Sequence, residues 1–193
     1  MKIAILGKTA SRSQAPFNDP EWTIWGLGIV LPGGNAVMSD LTTAPVGRFD
    51  AWFEIHMKDF SGGSLHEQAY CEWLRTEVQA PVLTLKNFGR FPTERELPRD
   101  AIIKKYGSYF LRNTVSWAMA YALYLGASRI GLWGIDQTHK EEIQSERHGV
   151  QHFIHLAREI GVPVDLPDGC ALLNPVSPYP ADEWDAYIGQ GAA

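Results

Sequence analysis

The chain has 193 residues, which is enough for one domain with a full hydrophobic core. Its 17 basic and 22 acidic residues give a formal net charge of −5 at pH 7, which argues against broad, nonspecific binding to nucleic acid. Its 2 cysteines exclude a disulfide framework, and no apolar stretch approaches the length of a membrane span. We expect one cytoplasmic domain over residues 1–180, followed by a peripheral tail over 181–193.

Short apolar runs alternate with turns in the first half of the chain. They predict strands at residues 2–6, 22–26, 49–56 and 82–85. A capping box, in which Ser64 and Glu67 satisfy each other's backbone amides, predicts a helix that runs to about Val78.

Longer helices are predicted in the second half. Residues 86–107 are charged, contain proline and show no clear period, so we expect a flexible or lid-like segment there. The remaining predicted elements are a helix capped by Asn113 or Thr114 and ended by Gly126, a strand at 129–134, a helix at 141–160 and a short edge strand at 162–164. This alternation predicts a single doubly wound, mostly parallel α/β sheet of Rossmann-like type, with helices on both faces.

Two of the predicted strands end in residues that suit a nucleotide. The first strand is followed by a small, hydroxyl-rich loop with Gly7, Thr9 and Ser11. Asp136 comes two residues after the predicted strand at 129–134. Ligands of open α/β sheets bind at the carboxyl ends of strands, where loop amides can hold phosphates and a carboxylate can hold ribose hydroxyls. The alternatives are an ordinary turn for the loop and a helix N-cap for Asp136.

The helix that begins near Asn113 is a further candidate for anion binding. Asn113, Thr114 and Ser116 supply side-chain oxygens beside the unpaired amides of its first turn, and the helix dipole favours negative charge there. Simple N-capping by Asn113 or Thr114 explains the same residues without a ligand.

Three residues are candidates for chemistry. His56 would end the third strand at the ligand edge, where a neutral imidazole can act as a general base; the alternative is a hydrogen-bonded, partly buried histidine. Glu142 is a second candidate base and Arg147 a candidate phosphate partner, unless both lie on a solvated helix face. His148 and His152 lie one helical turn apart, which keeps a divalent metal open as a cofactor, although the HExxH zinc motif is absent.

The helix–strand–Asp unit resembles a block in known families. Residues 114–120, Leu125-Gly126 and Gly134-Ile135-Asp136 are similar to the "T-S-G … A-L-G … G-I-D" block of bacterial single-domain sialyltransferases and of archaeal 6-hydroxymethylpterin diphosphokinase-like domains. Those families open with a Gly-Asn-Gly-Pro-Ser loop, which residues 7–11 match at the first and last positions. The resemblance implies that Gly7, Thr9 and Ser11 line the phosphates, that Ser116 or its neighbours touch phosphate or substrate, and that Asp136 meets the nucleoside.

A second resemblance covers most of the chain. Residues 15–17, 52–56 and 136–147 are similar to motifs of uncharacterised proteins of tailed bacteriophages, which implies a location in the host cytoplasm. We expect a nucleotide- or nucleotide-sugar-binding transferase of glycosyltransferase-like type. The alternatives are a metal-dependent pyrophosphoryl transferase or nucleotide hydrolase, and a non-catalytic phage assembly or interaction protein. The sequence also leaves open whether the protein forms a homo-oligomer.

Overall fold

The computed structural model describes residues 1–28, 48–56, 65–135 and 141–173. Within them, one sheet contains β1 (Lys2–Leu6), β2 (Trp22–Leu27), β3 (Ala51–Phe53), β4 (Val82–Thr84), β5 (Glu94–Glu96), β6 (Arg129–Trp133) and β7 (Val164–Asp165). The strand order is β5-β4-β3-β2-β1-β6-β7, and each neighbouring pair is parallel. The predicted doubly wound, Rossmann-like α/β fold is confirmed.

Four α-helices connect these strands within the described residues. They are α1 (Leu65–Thr76), α2 (Arg99–Tyr106), α3 (Thr114–Tyr124) and α4 (Glu141–Glu159). Short 3₁₀ turns at Ala10–Gln14 and Ala171–Leu173 complete the regular structure. No helix in these ranges combines the length and the apolar composition needed to cross a membrane.

One face of the sheet is covered by α3 and α4. Ile3 and Ile5 of β1 point to this side, since alternate residues of a strand share a face. They belong to one buried cluster with Met119 of α3 and Phe153 of α4, and all four side chains are fully buried. This layer fixes α3 and α4 over the centre of the sheet.

The opposite face is covered by α1 and by tryptophan rings. Trp52 is fully buried and packs in a cluster with Tyr70 of α1. Its ring lies over Gly26 of β2, where an added Cβ would come within 2.2 Å of the indole. Gly131 makes the same room for the ring of Trp133, again at 2.2 Å. Glycine is therefore required at both positions for a bulky ring to lie flat on the sheet.

The connections change direction between β1 and β6. Strands β2 to β5 lie on one side of β1, and β6 and β7 lie on the other. The carboxyl ends of β1 and β6 are consequently adjacent, with Leu6 paired to Trp133, and their loops lead away to opposite sides. This is the topological switch point at which open α/β sheets bind ligands. Because α3 and α4 each lead into the next strand, their N-termini lie at this same edge.

The structure differs from the sequence expectation at residues 86–107. This segment holds β5 and α2 instead of a flexible lid. The β4–β5 loop is shaped by Glu94, whose buried carboxylate accepts hydrogen bonds from the backbone N–H of Arg90 at 2.6 Å and of Phe88 at 3.3 Å. Because a loop organised by a charged residue shows no apolar period, the sequence pattern indicated a flexible or lid-like segment.

Smaller differences concern element ends. The third strand is shorter than the predicted 49–56, and α4 ends at Glu159, one residue before the predicted end at 160. The Ser64 cap, Asp136 and the tail at 181–193 lie outside the described residues.

Candidate functional site

The loops after β1 and β6 are hydrogen-bonded to each other at the switch point. The backbone N–H of Gly7 donates to the Trp133 carbonyl at 2.8 Å, and that of Thr9 donates to the Gly134 carbonyl at 3.0 Å. The N–H of Gly134 in turn donates to Ser11 Oγ at 2.9 Å. The structure thus brings Gly7, Thr9 and Ser11 together with the segment that leads to Asp136.

Two glycines allow this close approach. A Cβ on Gly7 would lie 2.2 Å from the Gly134 carbonyl oxygen, so no other residue fits without moving β6. Gly134 has a φ of 71°, in the left-handed region that glycine adopts without strain. At the base of the predicted site, the backbone of the loop after β1 therefore packs directly on the backbone of the loop after β6.

The amides expected to face a phosphate are used inside this contact, since those of Gly7 and Thr9 are donated to β6 carbonyls. What the loop offers instead is the Thr9 hydroxyl. Thr9 Oγ1 is buried and has no hydrogen-bond partner within the described residues. A buried hydroxyl without a partner is costly, and a ligand oxygen would satisfy it.

A buried cation lies beneath the same loop. Arg12 is 2% exposed, and its Nη1 donates to the Gly7 carbonyl at 2.9 Å. Burial lowers the pKa of Arg12 to about 10, because the charged form loses its hydration. At neutral pH the guanidinium stays charged, so its field at the switch point favours an anionic ligand.

The N-terminus of α3 is closed by its own side chains. Asn113 Oδ1 accepts from the Ser116 N–H at 2.8 Å, and Ser116 Oγ accepts from the Asn113 N–H at 3.1 Å, which is a reciprocal capping box. Ser116 is fully buried, while Thr114, the first helical residue, is partly exposed. The capping interpretation accounts for Asn113 and Ser116, and a ligand role for these residues and for Thr114 stays a prediction.

His56 is held by a buried carboxylate just after β3, at the same edge of the sheet. Glu54 Oε1 lies 2.6 Å from His56 Nδ1 and also accepts the His56 backbone N–H at 2.8 Å. The Glu54 side chain is 1% exposed and the imidazole 50%. A carboxylate on Nδ1 fixes the tautomer with its proton on that atom, which makes Nε2 the basic nitrogen.

Two aromatic residues complete a chain of hydrogen bonds behind Glu54. The Tyr70 hydroxyl donates to Glu54 Oε2 at 2.8 Å and accepts from Trp52 Nε1 at 2.8 Å. Burial raises the pKa of Tyr70 well above its usual range, and the neighbouring Glu54 carboxylate adds to the effect. Tyr70 therefore remains a donor, so the carboxylate is held from both sides.

Replacing Tyr70 with phenylalanine should lower the free energy of unfolding by about 1–3 kcal/mol, because the buried Glu54 and Trp52 groups each lose a partner. Urea denaturation measures this difference. Tyr109→Phe is the matched control, since Tyr109 is 70% exposed and its variant should stay within about 0.5 kcal/mol of the native chain. Equal stability of the Tyr70 variant and the native chain would contradict the hydrogen-bond chain.

The sequence did not single out Glu54, Tyr70 or Arg90, although all three act on His56. Arg90 Nη1 donates to the His56 carbonyl at 2.8 Å, from a loop more than thirty residues away in sequence. The one signal available was the spacing of Glu54 and His56, since residues two apart in an extended chain share a face.

The other predicted residues lie on α4. Glu142 is in its first turn, and the Glu142 side chain is outside the described part of the structure. Arg147 Nε donates to the Leu172 carbonyl at 3.1 Å, which ties α4 to the following 3₁₀ turn. His152 stacks on Phe110 with ring centroids 3.8 Å apart. Within the described ranges, no three His, Cys, Asp or Glu side chains group closely enough to hold a metal ion.

Comparison with known proteins shows the fold. Structures of the sialyltransferase CstII from Campylobacter jejuni match at 13% sequence identity. One, in complex with cytidine-5'-monophosphate, covers 98% of this chain and 99% of its own, with a TM-score of 0.54. Another, with CMP-3FNeuAc, covers 98% of both chains, with a TM-score of 0.55. A third CST-II structure, with a trisaccharide acceptor and CMP, has a TM-score of 0.52 at 13% identity over 98% of this chain and 99% of that one.

No family model matches the sequence, and no curated protein matches it. The protein therefore has the α/β fold of these sialyltransferases at low sequence identity. The resemblances to pterin diphosphokinase-like domains and to phage proteins stay predictions.

Proposed function

We propose that this protein is a glycosyltransferase-like enzyme that binds a nucleotide sugar at the switch point and transfers the sugar to an acceptor hydroxyl. The observation that carries the proposal is the His56–Glu54 pair, which lies at the same edge of the sheet as the β1–β6 switch point. The sialyltransferase structures with this fold were solved with CMP and a CMP-sugar, which makes cytidine nucleotides the first ligands to test.

In the proposed reaction the acceptor oxygen attacks the anomeric carbon of the sugar. The bond from that carbon to the nucleotide phosphate breaks, and the nucleotide leaves with the bonding electrons. His56 Nε2 takes the proton of the acceptor hydroxyl, and the Glu54 carboxylate stabilises the imidazolium that forms. The positive charge on Arg12 stabilises the negative charge of the phosphate in the leaving nucleotide.

The spacing of the strands suits this division of roles. β3 is separated from β1 by one strand, so His56 lies about 10 Å along the sheet edge from the end of β1, at about 4.8 Å per strand. A nucleotide phosphate over the first loop would thus direct its sugar towards His56. We assign Asp136 to the nucleoside and keep Glu142 and Arg147 as further candidates for the base and a phosphate contact.

Titration calorimetry with CMP, a CMP-sugar and a UDP-sugar tests the binding step. We expect one of these ligands to bind, and Thr9→Val to weaken it about three- to tenfold, the value of one hydrogen bond to a buried hydroxyl. Ser13→Ala is the matched control, because Ser13 is an exposed hydroxyl of the same loop that bonds only to the Ala10 carbonyl among described partners. Unchanged affinity in Thr9→Val and Asp136→Ala would refute the site.

The alternative functions are a metal-dependent pyrophosphoryl transferase or nucleotide hydrolase, and a non-catalytic phage assembly or interaction protein. No contact among the described residues favours any of them over sugar transfer.

A further inference from the structure

The guanidinium group of Arg90 lies between a buried carboxylate and the backbone of the candidate base. Arg90 Nη1 donates to the His56 carbonyl at 2.8 Å, and Arg90 Nε lies 3.7 Å from Glu94 Oε1. The Glu94 side chain is 1% exposed and that of Arg90 is 16% exposed. The proposed transfer step assigns no role to Arg90, although its side chain connects the β4–β5 loop to His56.

Arg90 is itself held in place by the β4–β5 loop. The Glu94 carboxylate accepts the backbone N–H groups of Arg90 at 2.6 Å and of Phe91 at 3.4 Å. The guanidinium group also lies near two rings, with its Cζ 5.2 Å from the ring centroid of Phe91 and 5.5 Å from that of Phe88. Because the backbone and the side chain of Arg90 are both held, its Nη1 donates to His56 from a preorganised position.

The backbone of His56 is consequently held on both sides of its Cα atom. Glu54 Oε1 accepts the His56 N–H at 2.8 Å and lies 2.6 Å from Nδ1, so one oxygen holds both the backbone and the ring. Arg90 holds the carbonyl on the other side. With the N–H and the C=O both held, the Cα–Cβ bond of His56 has a fixed direction. Because the imidazole is half-exposed, these polar contacts set its orientation.

We propose that Arg90 is a positioning residue, which holds His56 so that its Nε2 faces the acceptor hydroxyl. Arginine suits this role, since its planar guanidinium group donates in two directions at once, whereas the ammonium of lysine is a point charge on a flexible stem. The catalytic part of the proposal rests on the proposed function. The orientation of His56 by Arg90 does not rest on it, and it can be measured without turnover.

NMR of the imidazole nitrogens tests the orientation. At a pH at which His56 is neutral, the native chain should carry the ring proton on Nδ1 alone, because Glu54 accepts it there. Arg90→Lys keeps the positive charge beside Glu94 but should lose the contact with the His56 carbonyl. Residue 56 is then free to turn away from Glu54, so both tautomers should be populated. The nitrogen chemical shifts of Nδ1 and Nε2 should move towards each other.

Kinetics test the catalytic part. Arg90→Lys should lower kcat for sugar transfer about ten- to hundredfold, because a misplacement of about 1 Å costs up to about 10²-fold. KM for the nucleotide sugar should stay within about twofold of the native value, since β2 separates β3 from β1. If Arg90→Lys does not fold, Glu94→Gln replaces it. This variant keeps an oxygen for the loop amides but loses the ion pair, so both readouts should change in the same direction by a smaller amount.

Two control variants separate this contact from general effects. Arg75→Lys changes an exposed arginine of α1 that lies 3.8 Å from Glu72, and it should keep the native tautomer and kcat. Asn87→Ala removes a hydrogen bond within the β4–β5 loop but leaves the contact between Arg90 and His56, so it should also keep both. An equal loss in Asn87→Ala would assign the effect to the order of the loop and overturn the role of Arg90.

The outcomes keep the two proposals apart. If Arg90→Lys populates both tautomers but the native chain transfers no sugar, the orientation of His56 by Arg90 is supported and the proposed transferase is rejected. A single Nδ1–H tautomer in Arg90→Lys, or both tautomers in the native chain, overturns the role of Arg90 and leaves the transferase to the test of His56→Ala. Both tautomers together with native kcat in Arg90→Lys overturn the catalytic part.

Discussion

Replacing His56 with alanine is expected to slow sugar transfer by about 10²–10⁴-fold, the usual contribution of a general base. The affinity for the nucleotide sugar should stay at the native value, because His56 lies two strands away from the switch point. Initial rates of nucleotide release at saturating donor measure the first effect, and calorimetry measures the second. The fall should therefore appear in kcat.

Two further variants show whether the loss comes from the base itself. Glu54→Gln keeps an oxygen for the His56 amide but cannot stabilise the imidazolium, so it should lower kcat more than it raises KM. His155→Ala removes an exposed histidine of α4 and should retain native rates. A His56 variant with native kcat would eliminate it as the base and would direct attention to Glu142.

The sheet was predictable from the sequence wherever its strands are buried. β1 and β6 are short apolar runs, and each is followed directly by a glycine. The helix α3 is an apolar helix between Asn113 and Gly126. The spacing of apolar residues in these elements reflects which side chains are buried, and burial is what a sequence pattern detects. β5 is the exception, because this edge strand reads Glu-Arg-Glu and uses Glu94 to fix a loop. A local pattern does not reveal that a carboxylate has backbone partners.

The position of the candidate site was more predictable than its contacts. His56 was expected at the carboxyl edge of the sheet because it follows a strand, and it lies just after β3 at that edge. Its role as a base stays a prediction. The buried Glu54 that orients it depends on Tyr70 of α1 and on Trp52, and Arg90 reaches it from the β4–β5 loop. These partners are brought together by the packing of α1 and β4 on the sheet, so the spacing of residues alone does not identify them.

The first loop shows a similar limit. Gly7 and Thr9 were expected to present amides to a phosphate, yet both amides bond to β6 carbonyls. That outcome requires β6 to lie beside β1, which follows from the crossover through α2 and α3 and not from the residues of the loop.

Substituting alanine for Gly7 is expected to damage both stability and nucleotide binding. The new methyl carbon would lie 2.2 Å from the Gly134 carbonyl oxygen and 2.8 Å from Ile135 Cγ1, so the two loops must separate. Overpacking of this kind costs about 1–3 kcal/mol in the free energy of unfolding. Because Thr9 and the segment that leads to Asp136 would then be displaced relative to each other, affinity for the nucleotide should fall about tenfold or more. Chemical denaturation and calorimetry, at a temperature where the variant is folded, measure the two effects.

A control glycine separates the collision from a general loss of stability. Gly161, in the turn before β7, has a φ of 82° and no atom within 4 Å of an added Cβ. Gly161→Ala should therefore lose about 1–2 kcal/mol through left-handed strain alone and keep native nucleotide affinity. If Gly7→Ala does not fold, Ser11→Ala, which removes the acceptor of the Gly134 N–H, tests the same contact. Native affinity in the folded variants would mean that nucleotide binding does not depend on the junction of β1 and β6, and the ligand would have to be sought elsewhere along the sheet edge.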